Sequence, residues 1–298
     1  MRVLASALCF LISLPVLACD VIDDMGHTIH LDHPAYRIIS LAPDLTELLF
    51  AAGAGAQIVG VVSGSDFPLS AKKIPVVANY NSLDEERIFR LHPDLIVTWA
   101  AANLSTQLQR LGFLVYVSQQ RDVMDIPKTL TRLGCLAGTD GVAKKAANNF
   151  SQRYHALQHQ YAKQKVVSVF YQIWSHPLMT VSKESWINQM ITLCGGKNIF
   201  ADTFGVAPQI NREAVILNNP QVILSSENNQ SWKKSWTAWP QLTAVSKGNM
   251  FSINPDLIER AGPRLLDGAE TVCQFLQKVR SSNNPIFFPL DNTYALDP

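Results

Sequence analysis

The chain has 298 residues, of which 47% are hydrophobic and 16% are charged, and its formal net charge at pH 7 is +1. This composition is typical of a globular protein of two modest domains and excludes a disordered or coiled-coil chain. No basic stripe with interleaved aromatic residues occurs, so the chain lacks the electrostatic signature of a nucleic-acid-binding protein.

The first eighteen residues are predicted to be a secretory signal peptide. Arg2 precedes a mainly apolar run from Val3 to Leu17, which is too short to span a membrane. Cleavage after Ala18 would leave Cys19 at the N-terminus, and Val16–Cys19 resembles a lipoprotein box with a bulky Leu17. Two outcomes stay open: a soluble periplasmic product, which we favour slightly, or a lipid anchor on Cys19. Both place the mature chain outside the cytoplasm.

Export permits disulfide bonds among the four cysteines that follow the signal segment. These are Cys19, Cys135, Cys194 and Cys273. A bridge between Cys194 and Cys273 would attach the predicted last helix to the second half of the chain, and buried free thiols are the alternative. Spacing alone does not choose the connectivity. No C-x-x-C pair occurs, which disfavours a structural zinc site or a redox motif.

Strand and helix patterns alternate through the first half. Arg37–Ser40 reads as a buried strand, and Asp44 with Glu47 forms a capping-box pattern that begins a helix ended by Gly53. The same order then continues with strands at Ile58–Val62, Leu95–Thr98 and Leu114–Val117, and with helices at Asp84–Arg90, Leu104–Leu111 and Ile126–Leu133. This alternation predicts a mainly parallel sheet covered by helices.

One long helix is predicted from Val142 to Lys165. The segment contains no Gly or Pro, and apolar residues recur at helical spacing at Val142, Ala146, Phe150, Leu157 and Tyr161. Its 24 residues would span roughly 36 Å. We expect a rigid strut between two lobes, leaving a cleft of the kind in which small molecules preferentially bind.

The alternation resumes after this helix. Strands are predicted at Val166–Tyr171, Val222–Leu224 and Met250–Ile253, and helices at Ser185–Leu193, Arg212–Leu217 and Pro263–Arg280. The predicted fold is therefore α/β, with two Rossmann-like lobes of mainly parallel sheet at residues 19–140 and 166–280. A linker helix at 141–165 joins them, and a loosely held tail follows at 281–298.

Motifs for common catalytic sites are absent from the sequence. No G-x-S-x-G, G-x-x-x-x-G-K-[ST], H-E-x-x-H or G-x-G-x-x-G after a strand occurs, which favours a binding protein over an enzyme without excluding catalysis. His155 and His159 lie four residues apart, but a metal site needs three or four converging ligands. We therefore assign no catalytic residue and no metal site.

Aromatic residues follow several predicted strands, where open α/β sheets place their ligand sites. Trp99 comes after Leu95–Thr98, Trp174 comes after the strand that ends at Tyr171, and Tyr80 lies in a predicted loop, Val76–Ser82. Taken singly, such residues are more often core or rim residues. Together they predict a ligand site lined for a large flat molecule.

A polar segment near the C-terminus, Asp256–Arg264, is predicted to be a loop leading into the last helix. Its Arg260 could offer a planar guanidinium to an amide or a phosphate of a ligand. The alternative is a local ion pair of Arg260 with Asp256 or Glu259.

The sequence resembles the helical-backbone class of periplasmic substrate-binding proteins, which supply ABC importers with siderophores, haem or cobalamin. The shared motifs are Arg37–Pro43, Thr46–Leu48, Ser65–Pro68, Glu86–Ile88, Pro93–Ile96 and Cys194–Phe200. Within this class the chain is most similar to the cobalamin-binding members, through Trp99 with Asn103, Lys183–Ser185, Pro208 and Gln209 with Arg212 and Glu213, and Glu259–Arg264. The similarity extends from Tyr36 to Arg280.

The resemblance implies several roles. Tyr80, Trp99, Asp256 and Arg260 would contact the corrin and its nucleotide loop, with cobalamin as transported ligand rather than catalytic cofactor. The chain departs from the family pattern at Gly64 and Ala207, where relatives carry aromatic residues. Trp174 could compensate for these losses, so we include Gly64 and Trp174 among the predicted ligand-binding positions.

The resemblance also implies partners and a disulfide. Glu86 and Glu213, each near a helix start, would dock onto basic pockets of an ABC importer permease that works with its ATPase. Without the resemblance, such carboxylates would be assigned to helix-dipole compensation. Cys194 and Cys273 match the disulfide pair of the family. We expect a protein that is monomeric when free and is not an enzyme, the alternatives being the same fold carrying haem or a ferric siderophore, or an exported α/β enzyme.

Overall fold

The computed structural model describes residues 18–79, 82–100, 104–227 and 229–282. These residues form two compact units. The first comprises the described residues up to Gln119 together with Thr129–Lys145, and the second comprises Gln120–Lys128 together with the described residues from Ala146 onward. The predicted signal segment before Ala18, Tyr80, Asn103 and the tail after Ser282 lie outside the described residues.

The first unit opens with an antiparallel hairpin and continues with a parallel sheet. The hairpin pairs β1 (Cys19–Ile22) with β2 (Thr28–Leu31), an element that is not among the predicted strands. The sheet has the order β5-β4-β3-β6-β7. Its strands are β3 (Ile38–Ser40), β4 (Ile58–Val62), β5 (Val76–Ala78), β6 (Leu95–Trp99) and β7 (Val115–Ser118). The predicted loop at Val76–Ser82 is therefore wrong at its start, because Val76–Ala78 pairs with β4.

The first four α-helices are α1 (Pro43–Ala51), α2 (Glu85–Leu91), α3 (Leu104–Arg110) and α4 (Asp125–Ala137). Short 3-10 helices occupy Gly55–Gln57 and Leu69–Lys73. The predicted capping box at Asp44 is wrong: Ala42 is the N-cap, and Pro43 takes the first helical turn, where its missing N–H costs nothing. Asp44 and Glu47 consequently lie inside α1, and both side chains are buried.

The long helix α5 runs from Asp140 to Tyr161, a length of 22 residues. Its buried side chains are those of Ala143, Ala147, Phe150 and Leu157. The predicted start at Val142 is wrong, and that side chain is 54% exposed rather than on the packed face. The predicted end at Lys165 is also wrong, because α5 ends at Tyr161 and residues 162–165, which are exposed, lie beyond it. The division between the two units falls within α5, after Lys145.

The second unit contains its own parallel sheet, with the order β11-β8-β12-β13. Its strands are β8 (Val167–Gln172), β11 (Gly196–Asn198), β12 (Val222–Ser225) and β13 (Met250–Ser252). A short antiparallel pair, β9 (Trp174–Ser175) with β10 (Leu178–Met179), follows β8. The prediction of α/β architecture with two parallel sheets and one long helix is thus confirmed.

Six helices complete the described part of the second unit. They are α6 (Trp186–Leu193), α7 (Arg212–Asn218), α8 (Ser231–Thr237), α9 (Thr243–Ser246), α10 (Pro255–Ile258) and α11 (Leu265–Ser282). Pro263 precedes the last helix instead of lying in its first turn. The predicted loop at Asp256–Arg264 is partly wrong, because α10 forms behind an Asn254 cap that accepts a hydrogen bond from the Asp256 amide.

Alternate residues of β8 feed two separate cores. Phe170 packs with Ile223, Trp232 and Trp236 in one cluster. Val169 and Tyr171 pack in the other, with residues of α6 and α11. This alternation is expected of a strand that is buried on both faces. It also determines which face of the sheet each side chain at the carboxyl end of β8 points to.

Two disulfides are present, one in each unit. Cys194 and Cys273 are bonded within the second unit, as the family resemblance implied. Cys19 and Cys135 are bonded within the first unit, a pairing that the sequence left open. Among the described residues, none of the helices combines the length and apolar character that a membrane span needs.

Candidate functional site

A pocket of about 560 Å³ lies in the second unit, at the carboxyl ends of β8 and β12. Open α/β sheets bind their ligands at this edge. The lining residues are Ile173, Trp174, Ser175, His176, Ser226, Glu227, Asn229, Ser231, Pro255 and Glu259. The pocket combines an indole surface with hydroxyl, imidazole, amide and carboxylate groups, so it suits a ligand that is flat in one part and polar at its edge.

One wall of the pocket is a hydrogen-bonded chain that ends on a carboxylate. The indole Nε1 of Trp236 donates to Gln172 Oε1 at 2.8 Å, which fixes the orientation of the Gln172 amide. Gln172 Nε2 then donates to Glu227 Oε1 at 2.8 Å, and Ser175 Oγ donates to the same oxygen at 2.5 Å. Charge-assisted bonds of this kind hold a carboxylate firmly.

Sequence reasoning missed Glu227, Ser175 and Gln172 as site residues. The signal that could have found them is their position, because Gln172 ends β8 and Glu227 follows β12 by two residues. Gln172 pairs with Ser225 across the two strands. Polar residues at or just after the ends of these two strands therefore lie next to each other.

Trp174 lies on the pocket wall, in β9, and its side chain is 57% exposed. Its Nε1 donates to the backbone carbonyl of His176 at 3.0 Å, which restrains the ring. An exposed but restrained indole is well suited to contact a flat apolar ligand, since little rotamer freedom is lost on binding.

Arg260 and Asp256 form an ion pair, with Arg260 Nη2 lying 2.8 Å from Asp256 Oδ1. The local pairing that the sequence left open is therefore present. Neither residue lines the pocket, although Glu259 between them does. Their predicted contact with ligand stays a prediction.

In the first unit, Trp99 ends β6 and its side chain is 47% exposed. Its Nε1 donates to Asp44 Oδ2 at 3.0 Å. Asp44 is buried, and this burial raises its pKa to about 6, although the hydrogen bond from Trp99 acts in the opposite direction. The buried carboxyl group thus anchors an exposed indole at a strand end.

The position of Asp44 leads to a pH-dependent stability. Because its pKa is higher in the folded chain than its ordinary value of 3.8, the folded chain binds more protons between pH 4 and pH 6, and stability falls as pH rises through this window. Between pH 4 and pH 7, we expect the free energy of unfolding of wild type to fall by about 2 kcal/mol more than that of Asp44→Asn. Urea unfolding of both proteins at several pH values measures this difference, and parallel stability curves would contradict it.

Two further predicted ligand positions are Gly64 and Tyr80. Gly64 has a φ of +86°, a conformation that favours glycine, so an aromatic residue at this position would be strained in this backbone. Tyr80 lies outside the described residues.

Glu86 and Glu213 occupy the first turns of α2 and α7 and are both exposed. Each helix is capped independently of its glutamate. Asp84 accepts a hydrogen bond from the Arg87 amide, and Asn211 accepts one from the Ala214 amide. Glu86 lies 3.6 Å from Arg90, a weak surface pair. Neither carboxylate is needed to begin its helix.

Within the described ranges, His, Cys, Asp and Glu side chains form no group of three or more that could hold a metal ion. His30 instead lies between Asp20 and Asp32, at 2.7 Å and 3.0 Å. The hydrogen bond to Asp20 is the main reason that its pKa is raised.

Comparison with known proteins places this architecture in a family. The sequence model of the family described as periplasmic binding protein matches residues 38–257. The chain belongs to the periplasmic binding protein family. The predicted family and fold class are therefore confirmed.

The chain is similar to several named members of this family. It is 39% identical over 248 residues to the vitamin B12-binding protein of Vibrio cholerae, which covers 82% of this chain and 90% of that protein. It is 36% identical to the vitamin B12-binding protein of Pectobacterium atrosepticum, with 82% and 89% covered.

Solved structures of family members agree with this result. The crystal structure of the periplasmic vitamin B12-binding protein of Vibrio cholerae matches with a TM-score of 0.77 and 38% identity, covering 83% of this chain and 98% of that one. The periplasmic haem-binding protein of Roseiflexus sp. RS-1 matches with a TM-score of 0.73 at 19% identity, covering 83% and 99%. This second likeness shows the fold alone.

Proposed function

We propose that this protein is a periplasmic binding protein that captures cobalamin and delivers it to an ABC importer. The observation that carries the proposal is the 39% identity to a protein named for vitamin B12 binding, over 82% of the chain. Haem-binding proteins share the fold at only 19–22% identity, so they do not favour haem to the same degree.

The site chemistry supports this ligand. Cobalamin presents a large flat corrin ring with primary amides at its edge. Trp99 and Trp174 each offer an exposed indole whose N–H is already bonded within the protein. The pocket in the second unit adds carboxylate and hydroxyl groups that can accept hydrogen bonds from amides.

We therefore propose six ligand-contact positions, which are Gly64, Tyr80, Trp99, Trp174, Asp256 and Arg260. The ion pair with the Asp256 carboxylate can hold the guanidinium of Arg260 in a fixed orientation for contact with ligand. We also propose that the protein acts by binding and release, as a monomer in its free state, and catalyses no reaction.

Delivery requires a membrane partner. We propose that Glu86 and Glu213, one in each unit, bind basic pockets of the importer permease, whose ATPase drives transport. Both carboxylates are exposed and dispensable for helix capping, so they are available for an intermolecular contact.

For the location, we propose a periplasmic protein without a lipid anchor. Sγ of Cys19 is bonded to Sγ of Cys135, and an N-terminal lipid would need that same sulfur. One chain cannot carry both modifications. Intact mass spectrometry of the mature protein checks this, because a lipidated chain would be heavier by the lipid.

Calorimetry with cyanocobalamin, haemin and a ferric siderophore in parallel tests the proposed ligand. We expect tight binding of cyanocobalamin only. Trp99→Ala should weaken that binding on the order of tenfold, since a well-packed aromatic contact contributes about 1–2 kcal/mol. The matched control is Phe204→Ala, which removes another exposed aromatic side chain of the chain. No heat with cyanocobalamin alongside tight haemin binding would overturn the proposal.

A further inference from the structure

The two carboxylate oxygens of Glu227 have different surroundings. Oε1 accepts the hydrogen bonds from Ser175 and Gln172 described above. Within the part of the chain that the structure describes, Oε2 accepts none. The carboxylate is therefore oriented by one oxygen and presents the other in a pocket of about 560 Å³.

The charges around this pocket have one sign. Its lining includes the carboxylates of Glu227 and Glu259 and, among the described residues, no lysine or arginine. Of the described lining residues, His176 alone carries an ionisable nitrogen. Such a wall favours ligand groups that donate hydrogen bonds and disfavours groups that carry negative charge.

Gln172 explains why Glu227 keeps this orientation. The Gln172 side chain is buried, and its carbonyl oxygen accepts the hydrogen bond from Trp236. Its NH₂ group is therefore the part that points to Glu227. The Ser175 hydroxyl has one hydrogen to donate, and it donates this hydrogen to Glu227. The free oxygen is thus positioned before any ligand arrives, which lowers the entropic cost of binding.

We propose that Glu227 is a specificity-determining residue that accepts a hydrogen bond from a primary amide at the ligand edge and rejects a carboxylate at the same place. The inference rests on the proposed function and adds the basis on which the site distinguishes amide-edged corrinoids from carboxylate-edged ligands. An amide donates to Oε2, whereas a carboxylate would face it with like charge and no proton to share.

The test compares cyanocobalamin with its isomeric monocarboxylates, in each of which one propionamide is hydrolysed to propionate. Wild type should bind at least one isomer on the order of tenfold more weakly than cyanocobalamin, as expected for loss of a charge-assisted hydrogen bond. In Glu227→Gln this ratio should fall to within about threefold, because a glutamine amide can donate to the propionate.

Glu227→Gln keeps the shape of the side chain, and its carbonyl oxygen can still accept from Ser175 and Gln172. Glu184→Gln is the matched control, because it removes an exposed carboxylate of the same unit that does not line the pocket. Its ratios should equal those of wild type.

The possible outcomes separate the two hypotheses. Tight cyanocobalamin binding with an unchanged ratio in Glu227→Gln for every isomer overturns the role of Glu227 alone. Wild type that binds all isomers as tightly as cyanocobalamin also overturns it. Wild type that does not bind cyanocobalamin overturns both the proposed function and this inference.

Discussion

Replacing both Cys194 and Cys273 with alanine is expected to lower the free energy of unfolding by about 4 kcal/mol. Their bond closes a loop with a sequence separation of 79 residues, and opening it restores conformational freedom to the unfolded chain. Both cysteines are buried, at the end of α6 and within α11. The bond therefore also links two helices of one core cluster.

Urea unfolding of the oxidised protein, followed by circular dichroism, measures this loss. The matched control is the double variant Thr192→Ala and Gln274→Ala, which places alanine at exposed neighbours of the two cysteines on the same segments. It should change stability by no more than about 0.5 kcal/mol. A loss below about 1 kcal/mol in the cysteine variant would contradict the loop-closure argument.

The alternation of strands and helices was predictable because it depends on local hydrophobic periodicity. Helix ends were predicted less well, because they depend on particular contacts. Pro43 begins α1 one residue before Asp44 could cap it, and α5 ends at Tyr161, before four exposed residues. The hairpin β1–β2 was not predicted because its polar residues are typical of a loop. Its turn is stabilised by Asp23 Oδ1, which accepts hydrogen bonds from the amides of Met25 and His27.

The candidate site was only partly predictable, for a physical reason. Trp99 and Trp174 could be selected because each follows a strand, which is a local property of the sequence. The pairing of Gln172 with Glu227 depends on the register between β8 and β12. In this register Gln172 pairs with Ser225, which lies 53 residues later in the chain. Asp44 looked like a helix cap, and only the fold places it under Trp99.

The largest effect on transport is expected from reversing the charges of Glu86 and Glu213. The double variant Glu86→Arg and Glu213→Arg should reduce cobalamin uptake by about a hundredfold or more, because each arginine would face one of the basic permease pockets that we propose. Like-charge contacts of this kind cost several kcal/mol. Cobalamin affinity should stay within about twofold of wild type, since neither residue lines the pocket.

Uptake of labelled cobalamin by cells that carry only the variant measures delivery, and calorimetry on the purified variant measures binding. Asp32→Arg with Glu184→Arg is the matched control: it reverses one exposed carboxylate in each unit, away from α2 and α7. Arginine at a helix start costs about 0.3–1 kcal/mol, so thermal melting must show that both proteins stay folded. If the variant binds cobalamin and still supports normal uptake, Glu86 and Glu213 do not dock the permease. If uptake is lost while affinity persists, ligand binding and delivery depend on different surfaces of the protein.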